Sequence, residues 1–317
     1  MNKRLLGLAG VIFLGLSFCV IGWAQGNKKS APTSELYSRQ WLLGVTTPDN
    51  PQALPTSVQR LYILDCGQGV MPNIENWTVG RNRGKSVSVP TVCLLVKDTH
   101  GWFLYDTGLP DYVASMPDGW QPGQGGTGFH WSMDKTLMSQ LDQLGVKPSD
   151  LMGIGLGSDD PTCVGNLELF PNTTVYMSKL EDTTMTSRVP GTPPGDPVPG
   201  FSPKHPVQLF DEDWDVFNDN SVIMVGLPGH DPGVSGLLIH LQQTGWVLWT
   251  DDAVHVPQEF YTGEVPQWSG HSPEARVQML LSQERIRDLM NYYQAKMIVK
   301  FDPDQYKGLK LAPEYYQ

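Results

Sequence analysis

Apolar residues become periodic only from residue 60 onward, where they gather in short runs separated by glycine- and proline-rich stretches. Leu61–Cys66, Ser88–Lys97 and Trp102–Asp106 read as strands, and the polar Asp98-Thr-His-Gly101 suits a hairpin turn. Helical spacing follows at Leu137, Met138, Leu141 and Leu144, with Asp134 placed to cap the helix and Gly145 to end it. Leu151–Leu156 and Thr174–Met177 return to strand patterning, and Val222–Leu227, Gly236–Leu241 and Trp246–Thr250 follow in close order. Pro273–Tyr293 carries Val277, Leu280, Leu281, Ile286, Leu289 and Met290 at spacings that bury one helical face, and Lys296–Lys300 is a last short strand. Grouped strands with occasional long helices predict an α/β chain of the α+β kind. The expected architecture is two packed sheets covered by helices, a four-layer αββα sandwich, rather than a doubly wound sheet. No break in composition divides residues 60–317, which read as a single domain. Val189–Pro206 is too rich in proline and glycine for regular structure and is expected to form a lid or cover.

Composition narrows the functional classes. A chain of 317 residues that is 40% hydrophobic and 17% charged can bury a substantial core. Its net charge of −11, with basic pairs only at Lys3-Arg4 and Lys28-Lys29, argues against nucleic acid or an anionic membrane surface as a partner. Met1–Ala24 has the order of a secretory signal peptide: basic Lys3 and Arg4, an apolar stretch from Leu5 to Val20, then Trp23-Ala24 before a cleavage point. The expectation is therefore an exported protein, periplasmic or extracellular, with no membrane span after cleavage. Residues 25–59, polar and punctuated by prolines, read as an N-terminal arm or linker. Export implies an oxidising compartment. Cys19 would leave with the signal, so that of Cys66, Cys93 and Cys163 one must be free, metal-bound or paired between chains. Cys66 and Cys93 lie in neighbouring apolar runs, but the sequence leaves the pairing open.

Candidate chemistry sits where the strand-like runs end. The loops are Asp106-Thr-Gly108, Ser158–Cys163, Gly229-His-Asp-Pro-Gly233, Asp251–His255 and Phe301–Asp304. Loops at strand ends are held by a rigid framework and face open space, which is where such folds place their sites. The chain resembles the metallo-β-lactamase superfamily, and within it the exported N-acyl-homoserine-lactonase-like branch. The carriers are Leu61–Gly67, Leu104-Tyr-Asp-Thr-Gly-Leu-Pro110, Gln140–Val146, Val164-Gly-Asn166, Leu227-Pro-Gly-His-Asp-Pro-Gly233, Asp252-Ala-Val-His255 and Ala312–Tyr316. Each is weak alone, and their order and spacing together carry the likeness.

The resemblance implies a hydrolase of esters or lactones in which two adjacent metal ions share a hydroxide and polarise the carbonyl under attack. Its ligands would be a HxHxDH motif, a histidine after Pro-Gly, a bridging aspartate and a last histidine. Anchored on Val164-Gly-Asn166, the motif falls on Ser158, Asp160, Thr162 and Cys163 in place of three histidines and an aspartate, with Asp159 within one residue of register. His230 and Asp252 stand unchanged, and the final histidine position becomes Phe301. Ser158, Thr162 and Phe301 are therefore degenerate positions. Asp106 and Gly108 would support the neighbouring loop structurally. Asp160, Cys163, His230 and Asp252 offer an O/S/N/O set for at most one zinc-like divalent ion, and two zinc ions are not expected.

Three functions stay in play. The first is a metallo-β-lactamase-like protein of lactonase ancestry in which the standard two-metal hydrolysis is lost or altered. The second is an active, lactonase-like hydrolase using one metal at Asp160, Cys163, His230 and Asp252, which are also the positions from which catalytic candidates, His230 and Asp252, would come. The third is a pseudoenzyme, a binding or scaffold protein. A small molecule, an acylated lactone or ester by resemblance, is the expected ligand. Trp120, Phe129, Trp131, Tyr261 and Trp268 flank the loops and are candidates to line an apolar cleft.

Overall fold

The computed structural model describes residues 49–121, 129–182, 205–266 and 272–317. The signal-like segment, the arm as far as residue 48, most of the expected lid and Trp268 lie outside these residues.

Two sheets face each other. The larger runs β4 (His130–Ser132), β1 (Val58–Met71), β2 (Val87–Asp98), β3 (Trp102–Tyr105), β5 (Leu151–Gly155), β6 (Val175–Ser178) and β7 (Val207–Phe210), in that lateral order. The smaller runs β12 (Lys296–Ile298), β11 (Gly245–Trp249), β10 (Ser235–Leu241), β9 (Val222–Gly226) and β8 (Asp213–Asp215). Period-two alternation along the longer strands builds the layers. Leu61 and Ile63 of β1 point inward with Val92, Leu94 and Phe103, and meet Val222, Met224, Leu237 and Ile239 of the other sheet. Tyr62, Leu64 and Cys66 point the opposite way and are covered by Leu137 and Leu141 of α1 (Leu137–Gln143). On the far side, Ile223, Val225, Leu238 and Leu248 are covered by Ile286, Leu289 and Tyr293. Those three belong to α4 (Pro273–Tyr293), which follows the short α2 (Pro161–Val164) and α3 (Pro257–Thr262) and precedes α5 (Pro303–Tyr306). The order of layers is helix, sheet, sheet, helix, the αββα arrangement that the patterning predicts. With buried side chains on both faces, the central strands read as near-continuous apolar runs.

Local differences from the sequence reading have physical causes. The first strand extends past Gly67 to Met71, because a register shift between Asp65 and Gln68 lets the chain keep pairing with β2 and then with β4. Helix α1 is capped by Thr136, whose side chain accepts from Ser139 N, and Asp111 accepts from Leu137 N and Met138 N. Asp134 lies two residues too early for that role. β4, β7 and β8 are three or four residues long and too short to show a period. Helix α4 has the predicted bounds, with the Ser272 hydroxyl accepting from Ala275 N.

The cysteine question is answered among the described residues: Cys66 and Cys93 form a disulfide across β1 and β2, and Cys163 is a buried free thiol. The bridge closes a separation of 27 residues. Loop-closure entropy then predicts that Cys66→Ala with Cys93→Ala lowers unfolding free energy by about 3–4 kcal/mol in urea titration.

Candidate functional site

The loops that follow β3, β5, β6, β9, β11 and β12 meet at one end of the sandwich. β3, β5 and β6 are parallel to one another, as are β11 and β12, so the carboxyl ends within each set point the same way. The loop after β3 is stitched to the loop after β5. Thr107 donates to Cys163 O at 2.9 Å, and Asn166 Nδ2 donates to Thr107 O and Leu109 O at 2.7 Å each. Gly108 packs on the disulfide, where a Cβ would lie 2.6 Å from Cys66 Cβ. Asp106 accepts from Gly157 N at 2.9 Å, fixing the start of the next loop. The motifs around Asp106–Gly108 and Val164–Asn166 are thus mutual struts.

At the centre is a residue that the sequence reading passed over. Lys300, just beyond β12, is fully buried, and its Nζ lies 2.8 Å from Asp251 Oδ1, 3.0 Å from Asp252 Oδ2 and 2.9 Å from Cys163 Sγ. An ammonium has three N–H donors, and here each has an acceptor. Burial disfavours the charged amine, but Asp251 and then Asp252 outweigh it and hold the Lys300 pKa well above the usual lysine value. Asp252 answers in kind. Burial alone would raise its pKa, yet Lys300 and His230 hold the carboxylate well below the ordinary range. Asp106 goes the other way: burial first, then the Asp251 charge, pushes its carboxyl well above the usual carboxylate range. The Cys163 thiol is likewise raised by burial and then by Asp106 and Asp251, and stays protonated.

The backbone is shaped for this cluster. A Cβ on Gly157 would fall 1.7 Å from Asp251 Oδ2, so that only glycine admits the carboxylate there. Asp251 itself has a φ of 46°, a left-handed conformation that places consecutive aspartates on the same ammonium.

The sequence-named positions divide around this centre. Ser158 donates to Asp252 Oδ2 at 2.6 Å and lies 3.3 Å from Cys163 Sγ. Cys163 and Asp252 are brought together, with Lys300 between them and Asp251 beside them. Asp160 is not among them. Its Oδ1 caps α2 instead, accepting from Thr162 N at 2.8 Å and from Thr162 Oγ1 at 2.7 Å. His230 Nδ1 lies 3.0 Å from Asp231 Oδ2. Although burial opposes it, the Asp231 bond and charge lift the His230 pKa to about 10, and its imidazolium adds to the field on Asp252. Phe301 is buried against Trp77, ring centroids 5.2 Å apart, and the same indole stacks at 5.0 Å on His255, which Glu259 holds through Nδ1. Phe129 and Trp131 are buried in this aromatic cluster with Trp77 and Phe301, and Tyr261 is largely exposed.

Two groups of side chains have metal-donor geometry among the described residues: Asp106, Cys163 and Asp251, and separately Asp159, Glu181 and Asp231. The first does not fit a metal pair as it stands. Two of its three members, Cys163 and Asp251, already face the Lys300 ammonium, a position that a cation could take only by displacing it. Ser158, Thr162 and Phe301 supply no imidazole or carboxylate in compensation. Lys300 and Asp251 could have drawn notice as charged residues beside the apolar runs Met297–Val299 and Trp246–Trp249, but nothing local says that they meet.

No family model matches the chain. By sequence it is 24% identical to the N-acyl homoserine lactonase AttM of Azorhizobium caulinodans, over 81% of this chain and 98% of that one. It is also 24% identical to the N-acyl homoserine lactonase AiiA of Bacillus thuringiensis subsp. kurstaki, over 82% and 99%. A solved N-acyl homoserine lactone hydrolase with N-hexanoyl-L-homoserine at its catalytic metal centre superposes with a TM-score of 0.70 at 22% identity, covering 82% of this chain and 99% of that chain. The dizinc quorum-quenching lactonase AidC gives 0.53 at 15% identity, covering 82% and 96%. No helix among the described residues is long and apolar enough to cross a membrane.

Removing Lys300 strands two buried carboxylates. Lys300→Met is expected to cost about 3–5 kcal/mol in denaturant unfolding, and Gly157→Ala about 1–3 kcal/mol through the clash with Asp251.

Proposed function

From a chain with the metallo-β-lactamase fold whose relatives are N-acyl homoserine lactonases, we propose an exported protein in which a lysine ammonium has replaced the metal pair. Hydrolysis through a metal-shared hydroxide is lost, and the protein acts by binding. The observation that carries this is Lys300 Nζ within 3.0 Å of Asp251, Asp252 and Cys163. One fixed positive charge there does structurally what divalent ions would do for these carboxylates. It has no open coordination position to bind a water or lower its pKa, which is the chemistry that metal-dependent hydrolysis needs. The reading with a single ion at Asp160, Cys163, His230 and Asp252 has less support, because Asp160 caps a helix and Cys163 and Asp252 already serve the lysine. An acylated lactone or a related ester is the proposed ligand, by kinship with relatives that bind N-acyl-homoserine products. The Cys66–Cys93 disulfide supports export to an oxidising compartment.

The test is elemental analysis of protein purified without added zinc, paired with a turnover assay on N-hexanoyl-L-homoserine lactone. Well under two equivalents of zinc and no hydrolysis above buffer are expected. Two tightly held zinc ions, or zinc-dependent turnover, would refute the reading. Exchanging Lys300→Ala together with Ser158→His, Asp160→His, Thr162→Asp, Cys163→His and Phe301→His should raise zinc uptake toward two ions.

A further inference from the structure

The second acidic group lies away from the lysine and is not accounted for by it. Asp159 follows β5, Glu181 follows β6, and Asp231 lies in the loop between β9 and β10. One carboxylate oxygen from each lies within 4.8 Å of the other two. That is the spread expected of oxygens around a cation bound at about 2.3–2.6 Å. Glu181 is the decisive member. Its side chain is completely buried, and among the described residues neither Oε1 nor Oε2 has a side-chain hydrogen-bond partner, the Asp159 backbone alone bearing on the carboxyl. A buried carboxylate without a partner is costly, and proteins meet that cost with a proton, a counter-charge or a metal.

The scaffold presses Glu181 into this position. Ser178 Oγ accepts from Glu181 N at 3.0 Å and donates to Gly233 O at 3.0 Å, joining the loops that carry Glu181 and Asp231. A Cβ at Gly233 would stand 2.2 Å from Glu181 N, so glycine is what allows the two loops so close. Asp231 keeps a side-chain exposure of 21%, which gives an ion a way in.

We propose that Asp159, Glu181 and Asp231 form a binding site for one hard divalent cation, calcium or manganese in chemical class. The donors are all carboxylate oxygens, which suits such ions and is a poor match for soft metals. Three carboxylates against the single His230 imidazolium leave a formal excess of two negative charges, which one divalent ion neutralises. Without the ion, burial and then Asp159 and Asp231 push the Glu181 pKa up to about 9, and a proton takes the cation's place. The site has no carboxylate in common with the lysine-filled centre and does not depend on whether the protein hydrolyses anything.

The experiment is isothermal titration of the full-length secreted protein, stripped with chelator, with calcium chloride and with manganese chloride. One ion per chain is expected, with a thermal midpoint that rises with ion concentration. Glu181→Gln, which copies the protonated acid, and Asp231→Asn should each weaken binding by at least ~10-fold, with near-ultraviolet circular dichroism confirming that both remain folded. Crystals soaked in manganese chloride should show an anomalous peak among the three carboxylates, a readout that needs no variant. Absence of binding to the unmodified protein overturns the proposal, as does unchanged affinity in both variants or a peak elsewhere. Zinc that survives in Glu181→Gln would count against the lysine reading above and leave this one standing.

Discussion

A positive charge sealed inside the protein organises everything around it. The Lys300 ammonium is out of contact with water, and its burial is tolerable only because each of its protons faces an acceptor: Asp251, Asp252 and Cys163. Removing a charged group from water costs several kcal/mol, and attraction repays this only with good geometry and complete hydrogen bonding. The surrounding structure supplies both. Gly157 yields space for Asp251, Ser158 donates to Asp252, and Asp106 ties its loop to Gly157. Each is a consequence of one buried cation.

The positions at which the resemblance would put metal ligands are used consistently in the structure. Ser158 and Cys163 are partners in the charge network, one donating to Asp252 and the other accepting from Lys300. Thr162 and Asp160 close the first turn of α2. Phe301 fills an aromatic layer with Trp77 and His255. At the centre, one oxygen of Asp251 and one of Asp252 face the Lys300 ammonium, while Asp251 Oδ2 has no hydrogen-bond partner among the described residues. The neighbouring group around Glu181 differs, since among the described residues its buried carboxyl has no side-chain hydrogen-bond partner and its three acids outnumber the nearby cation. The two clusters share a rim of the sandwich and follow opposite electrostatic solutions, an internal counter-charge in one and an external one in the other.

What the chain determines by itself is its layered architecture. Alternation in Leu61–Cys66, the apolar runs at Val222, Gly236 and Trp246, and the apolar stripe of residues 273–293 are local patterns, and they were enough to give two sheets between helices. Local pattern also pointed to the loops at Ser158–Cys163, His230 and Asp252, because short motifs carry their own spacing. It could not show the use made of them. Lys300 finds Cys163 across 137 positions and Asp251 across 49, and at the end of an apolar strand a lysine reads as a group turned to water. Asp160 looked like a ligand and is a helix cap, since a carboxylate serves either purpose and only the neighbouring N–H groups decide. The Cys66–Cys93 bond depended in the same way on strand pairing, which no single run encodes. Burial and ion pairing are properties of distance in space, so the charge at the centre of this protein became visible only once the two sheets had brought their ends together.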